Sequence, residues 1–426
     1  MTPKVSVLVP TYNRAALLPE SLESIFSQTV PPSQVIVIND GSTDDTRKVV
    51  ESYGRKIEYL EQQPNQGKST ALNLGMQRTT GDYVWIMDDD DIAFPDALER
   101  HLAILERNPQ LGFTYSGGSV PDENGIHRVY IPPDSSNPNL LLCLLRGYFL
   151  GLEGILVRTS CYREVGEFDP EMLRSQDYEM TIRLLYRFPC ARIDGPTFAV
   201  RWDFAQRGPA RDRFPFRKVL LKGMEYQRKA FRKVRKELPL HCYLSGPTDT
   251  TGELTASDTR RALLRRASIM ALKGLPAETA DDLRLAVLAS ADPLSSAERS
   301  ILWEFEWCAD KAPAMFDLTR NQAVLHNVAV IMKSKALKGK GLAFDIKCDW
   351  ARGLFWRVNR LWRENDRTHA VVFLFSACRI MGVRGLLEVG FQKARAWRAP
   401  NSNGGAKAEL GPAGPPQLPQ RRQDVS

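Results

Sequence analysis

Four consecutive aspartates, Asp88 to Asp91, directly follow the apolar run Val84-Trp85-Ile86-Met87. Four adjacent carboxylates repel one another strongly unless a cation or solvent screens them. A solvated loop that caps a helix near Pro95 would need only one of these aspartates. Mg²⁺ and Mn²⁺ prefer hard oxygen ligands and commonly bind one or two protein carboxylates together with substrate phosphates. The cluster therefore predicts a site for Mg²⁺ or Mn²⁺ that also holds a diphosphate.

The elements that must position this cluster are short strands that alternate with amphipathic helical patterns over residues 5–120. Strands are predicted at residues 5–9, 35–39, 57–60 and 83–87, and a helix at residues 16–27. Ser42 and Asp45 have the spacing of a capping box that would begin a second helix. Strict alternation of strands and helices predicts a doubly wound, parallel α/β sheet. In such a sheet ligands bind beyond the carboxyl ends of the strands.

Polar residues follow each of the predicted strands. They form the segments Pro10-Thr11-Tyr12-Asn13, Asp40-Gly41-Ser42 and Asn65-Gln66-Gly67-Lys68, besides the aspartate cluster. Because the carboxyl ends of parallel strands share one edge, these segments should surround a single ligand.

Length and composition set the limits of the whole chain. Its 426 residues predict more than one domain, and 43% hydrophobic residues are typical of a globular protein. The predicted organisation is a catalytic domain at residues 1–240, a linker at 241–255, a helical, basic, Trp-containing domain at 256–398 and a disordered tail at 399–426. No signal peptide and no run of about 20 apolar residues is apparent, and the seven cysteines are scattered. We therefore expect a cytoplasmic protein with reduced thiols.

Several motifs in a fixed order resemble the family 2 glycosyltransferases of GT-A fold. They are VSVLVPTYNR at residues 5–14, VINDGSTDDT at 37–46, Asn65-x-Gly67, Ala71-Leu72-Asn73, Gly81-Asp82-Tyr83 and MDDDD at 87–91. The resemblance covers about residues 4–205. It implies an inverting transfer of a hexose from a UDP, GDP or dTDP sugar, on a Rossmann-like doubly wound sheet followed by a mainly helical region.

The resemblance also implies roles for individual residues. Asp40 would bind the base, and the segment Pro10-Thr11-Tyr12-Asn13 would surround it. Asn65, Gly67, Lys68, Asp88 and Asp89 would complete the nucleotide-sugar site. Asp90 would be the direct metal ligand, together with Asp88, while Asp91 would be a helix cap or an outer residue. Leu72 stands where many members carry arginine, and Lys68 could supply that missing charge.

An inverting displacement needs a general base on the face of the sugar opposite the leaving diphosphate. The segment Ser175-Gln176-Asp177-Tyr178-Glu179 resembles the family's Glu-Asp pair, which makes Asp177 the candidate base and Glu179 the reserve. The plainer interpretation of Asp177 is a carboxylate that favours the positive end of a helix dipole. Glu153 is a candidate for contact with the acceptor. The resemblance makes Arg201 with Trp202 candidates for a lid over the donor, although a salt bridge within the loop is the simpler interpretation of Arg201.

Residues 333–398 hold fifteen Lys or Arg against five Asp or Glu, interleaved with tryptophan and phenylalanine. This pattern is typical of an interfacial helix on an anionic membrane surface. A helical domain with buried aromatics and a basic rim explains it equally well. The family resemblance favours a glycan or lipid-linked acceptor, cell-envelope polysaccharide synthesis and a peripheral location at the inner face of the membrane. No reader motif indicates a nucleic-acid partner.

Two other functions compete with a glycosyltransferase. A nucleotidyltransferase shares the sheet and the need for a metal and a diphosphate, but usually carries a Gly-rich basic loop where this chain has Pro10 to Asn13. A non-catalytic, membrane-associated adaptor would keep the sheet only as a scaffold. Retention of both Asp90 and Asp177 argues against the adaptor.

Overall fold

The computed structural model describes residues 3–121, 127–201, 219–245, 253–290, 292, 294–298 and 301. Within these residues nine strands form one sheet. The strands are β1 Val5–Thr11, β2 Gln34–Asn39, β3 Glu58–Glu61, β4 Tyr83–Ile86, β5 Ile92–Ala93, β6 Phe113–Pro121, β7 His127–Tyr130, β8 Ile155–Arg158 and β9 Cys190–Ala199. The helices are α1 Leu18–Phe26, α2 Thr46–Ser52, α3 Lys68–Met76, α4 Ala97–Arg107, α5 Leu140–Arg146, α6 Thr159–Val165, α7 Gln176–Arg187, α8 Val219–Glu237, α9 Ala256–Leu272 and α10 Pro276–Ala289.

The strand order is β3-β2-β1-β4-β8-β6-β9-β5, and β7 pairs with β6. The first four strands in this order are parallel to one another, as predicted. Beyond β4 the sheet is mixed, because β8 runs antiparallel to both β4 and β6 while β6 and β9 are parallel. Strands β6 and β7 form an antiparallel hairpin, which a short connection permits and a parallel pair does not.

Two hydrophobic clusters cover the two faces of the sheet. Alternate residues of β1 divide between them: Val5, Val7 and Val9 pack with α1 and α4, whereas Leu8 packs with α3. Every residue of β1 is buried, as expected for a Val-rich strand in the centre of a sheet that has helices on both faces. The predicted α/β class is confirmed.

The predicted capping box at the start of α2 is wrong. The helix begins at Thr46, and the Asp44 carboxylate accepts hydrogen bonds from the Thr46 amide and hydroxyl. Ser42 instead accepts a hydrogen bond from the Asn13 amide at 2.8 Å. The spacing of Ser42 and Asp45 therefore misleads, since Ser42 links the loops after β1 and β2.

Helices α8, α9 and α10 follow the last strand. Ala230 and Phe231 of α8, and Ala262 and Ile269 of α9, belong to the same hydrophobic cluster as Leu8 in β1. The described start of the predicted helical domain thus shares a core with the sheet, while the domain boundaries themselves stay predictions. The basic segment 333–398 and the tail lie outside the described residues. None of the described helices is long and apolar enough to cross a membrane.

Candidate active site

The aspartate cluster lies at the carboxyl edge of the four parallel strands and begins two residues after Ile86, the last residue of β4. It forms a tight turn in which the Asp91 amide donates to the Asp88 carbonyl at 3.3 Å. The Ser21 hydroxyl of α1 also donates to that carbonyl, at 3.0 Å. The turn therefore aims neighbouring aspartates in different directions.

Three carboxylates converge on one side of this turn. Oxygen atoms of Asp88, Asp91 and Glu153 all lie within 4.8 Å of one another. Glu153 belongs to a short 3₁₀ helix, Leu152–Gly154, and its carbonyl accepts a hydrogen bond from the Trp85 indole of β4 at 2.8 Å. This tie to β4 places an acid from far along the chain beside the aspartates.

The electrostatics of these three carboxylates fit a cation site. Burial, followed by the charges of Asp88 and Asp90, raises the pKa of Asp91 to about 8. Burial, followed by the charges of Asp88 and Asp91, also raises the pKa of Glu153 well above its usual value. Carboxylates at such a spacing repel one another, and a divalent cation with hard oxygen ligands relieves that repulsion.

Asp89 and Asp90 face the other side of the turn, toward Arg14. The Arg14 guanidinium lies 3.9 Å from Asp89 and 3.6 Å from Asp90. Burial, followed by the charge of Asp90, raises the pKa of Asp89 to about 7. The predicted metal ligand Asp90 is therefore not among the converging oxygens, and Asp91, expected to be a cap or outer residue, takes that place. Arg14 was not predicted, although it directly follows Asn13 in the first motif.

Arg201, two residues after the end of β9, contacts the aspartate turn. Its amide donates to the Asp91 carboxylate at 3.0 Å, its Nε to the Asp90 carbonyl at 2.5 Å and its Nη2 to the Leu17 carbonyl at 3.0 Å. It also forms an ion pair with Glu20. Arg201 thus clamps the aspartate turn, and its ion pair with Glu20 agrees with the simpler expectation of a salt bridge in this loop; a role as a lid over the donor stays a prediction. Trp202, its predicted companion, lies outside the described residues.

Lys68, the first residue of α3, also contacts the aspartate cluster. Its ammonium forms an ion pair with Asp88. Burial alone would lower the pKa of Lys68, but the charges of Asp88, Glu153 and Asp177 raise it above the usual value. The lysine is therefore a fixed positive charge among three acids.

The loop before Lys68 is held by Asp40. The Asp40 carboxylate accepts hydrogen bonds from the amides of Gln66 at 2.7 Å and Gly67 at 2.8 Å, and from the Gln62 side chain at 2.5 Å. Asp40 is only 4% exposed. Base binding by Asp40 stays a prediction, since in this structure its carboxylate positions the loop that carries Lys68.

The other predicted donor residues line the same edge. Pro10 and Thr11 end β1 and are buried. Asn13 has a φ of +53° and ties the first two loops together, because its side chain accepts from the Thr43 amide at 2.7 Å. The Asn65 carboxamide oxygen is buried without a hydrogen-bond partner among the described residues, and the Asn65 backbone nitrogen lies close to Gly41. Tyr12 follows β1 at this edge, and its contact with a nucleotide stays a prediction.

Asp177 lies in the first turn of α7, and its charge acts on Lys68 beside the aspartate cluster. Its carboxylate accepts a hydrogen bond from the Tyr148 hydroxyl at 2.9 Å and from the Tyr178 amide at 2.7 Å. Desolvation, followed by the charge of Asp177, raises the pKa of Tyr148 well above its usual value, although the residue as a whole is 38% exposed. The sequence gives no signal for Tyr148, because 29 residues separate the two partners.

Glu179 lies on the opposite face of α7, away from the cluster. It is 2% exposed and forms ion pairs with Arg183 at 2.7 Å and Lys233 of α8 at 3.1 Å. Arg183 in turn donates to the carbonyls of Val165 and Glu167. These contacts give Glu179 a role in packing α7, and its role as the reserve base stays a prediction.

The family match falls on the part of the chain that holds strands β1 to β8 and the aspartate cluster. Residues 6–158 match the family described as glycosyl transferase family 2. An uncharacterized glycosyltransferase of Rickettsia felis is 35% identical over 191 residues, which cover 43% of this chain and 31% of that protein. One of Haemophilus influenzae is 30% identical over 183 residues, 42% of this chain and 62% of that protein. The match thus spans about a third of the Rickettsia protein.

Two solved structures are similar in shape at low sequence identity. TarS 1-349 of S. aureus in complex with UDP-GlcNAc has a TM-score of 0.48 and 16% identity, over 75% of this chain and 90% of that chain. The mannosyltransferase PcManGT from Pyrobaculum calidifontis, in complex with GDP-Man and Mn²⁺, has a TM-score of 0.46 and 19% identity, over 79% of this chain and 88% of that chain.

Proposed function

We propose, from the premise that residues 6–158 of this chain belong to glycosyl transferase family 2, that the protein is an inverting, metal-dependent glycosyltransferase. It would move a sugar from a nucleoside diphosphate sugar to a hydroxyl of a glycan or lipid-linked acceptor. The observation that carries this proposal is the convergence of Lys68, Asp177 and the three carboxylates Asp88, Asp91 and Glu153.

The donor side of this mechanism rests on charge. Asp88, Asp91 and Glu153 would hold Mg²⁺ or Mn²⁺, which would neutralise the diphosphate and improve it as a leaving group. Lys68, kept protonated by its acidic neighbours, would provide a second positive charge for the departing diphosphate. Asp40 contributes by fixing the loop from which Lys68 projects.

The acceptor side rests on Asp177. In the proposed reaction the acceptor oxygen attacks the anomeric carbon while the bond from that carbon to the diphosphate oxygen breaks. The electron pair of the broken bond leaves with the diphosphate, and the acceptor proton passes to Asp177. A single displacement inverts the anomeric configuration. Tyr148, which donates to Asp177 at 2.9 Å, would keep this carboxylate aimed until an acceptor hydroxyl replaces the tyrosine as its partner.

The experiment is a donor screen on the full chain. UDP-N-acetylglucosamine, GDP-mannose and dTDP-glucose are incubated with Mn²⁺, or with EDTA, and release of the nucleoside diphosphate is measured with water as the acceptor. We expect release from one donor that requires the metal. Failure of all three to be hydrolysed or bound would overturn the proposal and favour an adaptor.

We further propose that the acceptor belongs to the cell envelope and that residues 333–398 bring the enzyme to an anionic membrane surface. The support is compositional: fifteen basic residues lie among aromatic ones in this segment. Flotation of the full chain with vesicles of neutral or anionic lipid tests it. Binding that is indifferent to the lipid charge would favour a packed basic domain instead.

A further inference from the structure

Lys273 directly follows α9 and is buried between the helical region and the sheet domain. It is only 4% exposed. Its ammonium donates to the Tyr178 hydroxyl at 2.9 Å and to the Arg146 carbonyl at 3.2 Å. It also lies 4.7 Å from the ring centre of Tyr178 and 4.5 Å from that of Phe231. Burying an ammonium group costs free energy unless such contacts replace its hydration. These contacts therefore hold the Lys273 side chain in one position.

The partners of Lys273 flank the acceptor side of the site. Arg146 ends α5 two residues before Tyr148, and Tyr178 directly follows Asp177. The Tyr178 hydroxyl donates to the Leu144 carbonyl at 2.5 Å, which is a second tie between α7 and the end of α5. The rings of Tyr148 and Tyr178 are 4.9 Å apart. Lys273 therefore connects the two backbone segments that carry the Tyr148–Asp177 hydrogen bond.

Two half-buried arginines of the helical region bind differently. Arg266 of α9 pairs with Asp282 of α10 at 2.7 Å, and Arg235 of α8 pairs with the same carboxylate at 2.8 Å. Those contacts join helices α8, α9 and α10 to one another. Lys273 crosses instead to α5 and α7, which belong to the sheet domain. The ion pairs of Asp282 therefore connect only the helices, whereas the contacts of Lys273 extend to the segments next to the site.

We propose that Lys273 is a positioning residue for the acceptor side, and that α9 is therefore part of the catalytic unit. By tying the end of α5 to the first turn of α7, Lys273 fixes the geometry of Tyr148 and Asp177. The inference rests on the proposed function for the role of Asp177 as base. The position of the Tyr148–Asp177 pair can be measured independently of that role.

The test compares Lys273→Met with Arg266→Met in the full chain. Arg266 is the control, because its loss removes a half-buried cation of α9 but leaves Asp282 paired with Arg235. Hydrogen exchange of residues 147–150 and 175–180 is measured by mass spectrometry, and nucleoside diphosphate release by the donor screen described above. Tyr178→Phe, which keeps the ring and removes the hydroxyl that Lys273 binds, is the second variant in case Lys273→Met does not fold.

We expect Lys273→Met and Tyr178→Phe to speed exchange in both segments and to lower kcat by roughly tenfold or more, since small misplacements of a reacting group are costly. KM for the donor should change by less than about twofold, because the donor is held by the metal side. Lys273→Arg should restore part of kcat. The effects of Lys273→Met and Tyr148→Phe on kcat should be less than additive if both act through one pair.

Three results would overturn the inference. They are unchanged exchange and kcat in folded Lys273→Met, an equal loss in Arg266→Met, and additive effects of Lys273→Met and Tyr148→Phe. If Asp177→Asn retains turnover, the proposed base is wrong; exchange that is faster in Lys273→Met but normal in Arg266→Met would still support positioning. The two failures are therefore distinguishable.

Discussion

The donor side and the acceptor side of the site are built in different ways. On the donor side, Asp40 and Asp88 lie just beyond parallel strands and Lys68 begins the helix that follows β3, and the sheet aligns all three at one edge. On the acceptor side, Tyr148, Asp177 and Lys273 come from the ends of three helices that only tertiary packing brings together. A strand-end site can be recognised from local patterns, whereas a site between helix ends cannot.

The largest expected effect on turnover distinguishes Asp177 from Glu179, which lie on opposite faces of α7. Asp177→Asn removes the proposed base and should lower turnover roughly 100-fold or more, with donor binding unchanged. Glu179→Gln breaks buried ion pairs with Arg183 and Lys233 and should cost about 2 kcal/mol of folding free energy, with little change in turnover. Nucleoside diphosphate release and urea unfolding measure the two effects. Equal losses of turnover would contradict the assignment of Asp177.

The donor side can be sharpened by comparing adjacent aspartates. Asp91→Asn should weaken Mn²⁺ binding at least about tenfold, because Asp91 is one of the three converging carboxylates. Asp90→Asn should have a smaller effect, since Asp90 faces Arg14 at 3.6 Å. Electron paramagnetic resonance of free Mn²⁺ measures both affinities. A larger loss in Asp90→Asn would return the metal to the residue that the family resemblance indicates.

The raised carboxyl pKa values predict how pH affects the metal-free protein. The pKa of Asp91 rises from 3.8 to about 8 on folding, so between these values unfolding releases a proton. The free energy of unfolding should therefore fall as pH rises from about 4 to 8, by at most about 1.4 kcal/mol per pH unit for each such group. Urea unfolding in EDTA between pH 5.5 and 8.5 measures the slope. Asp91→Asn should flatten it, and a slope unchanged by that substitution would exclude Asp91 as its source.

The smallest effect concerns the loop that carries Lys68. Gly41 has a φ of +76°, and a Cβ there would lie 2.9 Å from the Asn65 amide nitrogen. Gly54 has a φ of +58° but nothing within 4 Å of the Cβ position, which makes it the matched control. Both alanine substitutions should cost about 1 kcal/mol for the backbone conformation. Only Gly41→Ala should also weaken nucleotide binding, as measured by titration; equal binding in the two variants would exclude a role for this loop.

Sequence patterns locate the donor side because they report strands directly. The Val- and Ile-rich runs of β1 and β2 and the polar residues after them suffice to bring Asp40 and the aspartates to one edge. These strand patterns do not determine the direction in which each carboxylate points. A turn closed by the Asp91 amide and clamped by Arg201 decides that Asp91, and not Asp90, joins Asp88.

The acceptor side depends on contacts that have no fixed sequence spacing. Family resemblance singles out Asp177 and Glu179, yet only the packing of α7 against α8 shows that Glu179 is buried with Arg183 and Lys233. Tyr148 is absent from the sequence-based hypothesis because it follows the short helix α5 and belongs to none of the motifs. The antiparallel pairing of β8 was likewise missed, since pairing partners beyond the first four strands depend on the chain's path.

The central claim is that the carboxylates at the end of β4 and Glu153 form a metal-dependent nucleotide site. Isothermal titration of the full chain with UDP, GDP and dTDP, in the presence of Mn²⁺ or of EDTA, tests it most directly. We expect that one nucleotide binds with Mn²⁺, binds much more weakly in EDTA, and loses this metal dependence in Asp91→Asn and Glu153→Gln. Equal binding with and without Mn²⁺, or no binding of any of the three, would contradict it.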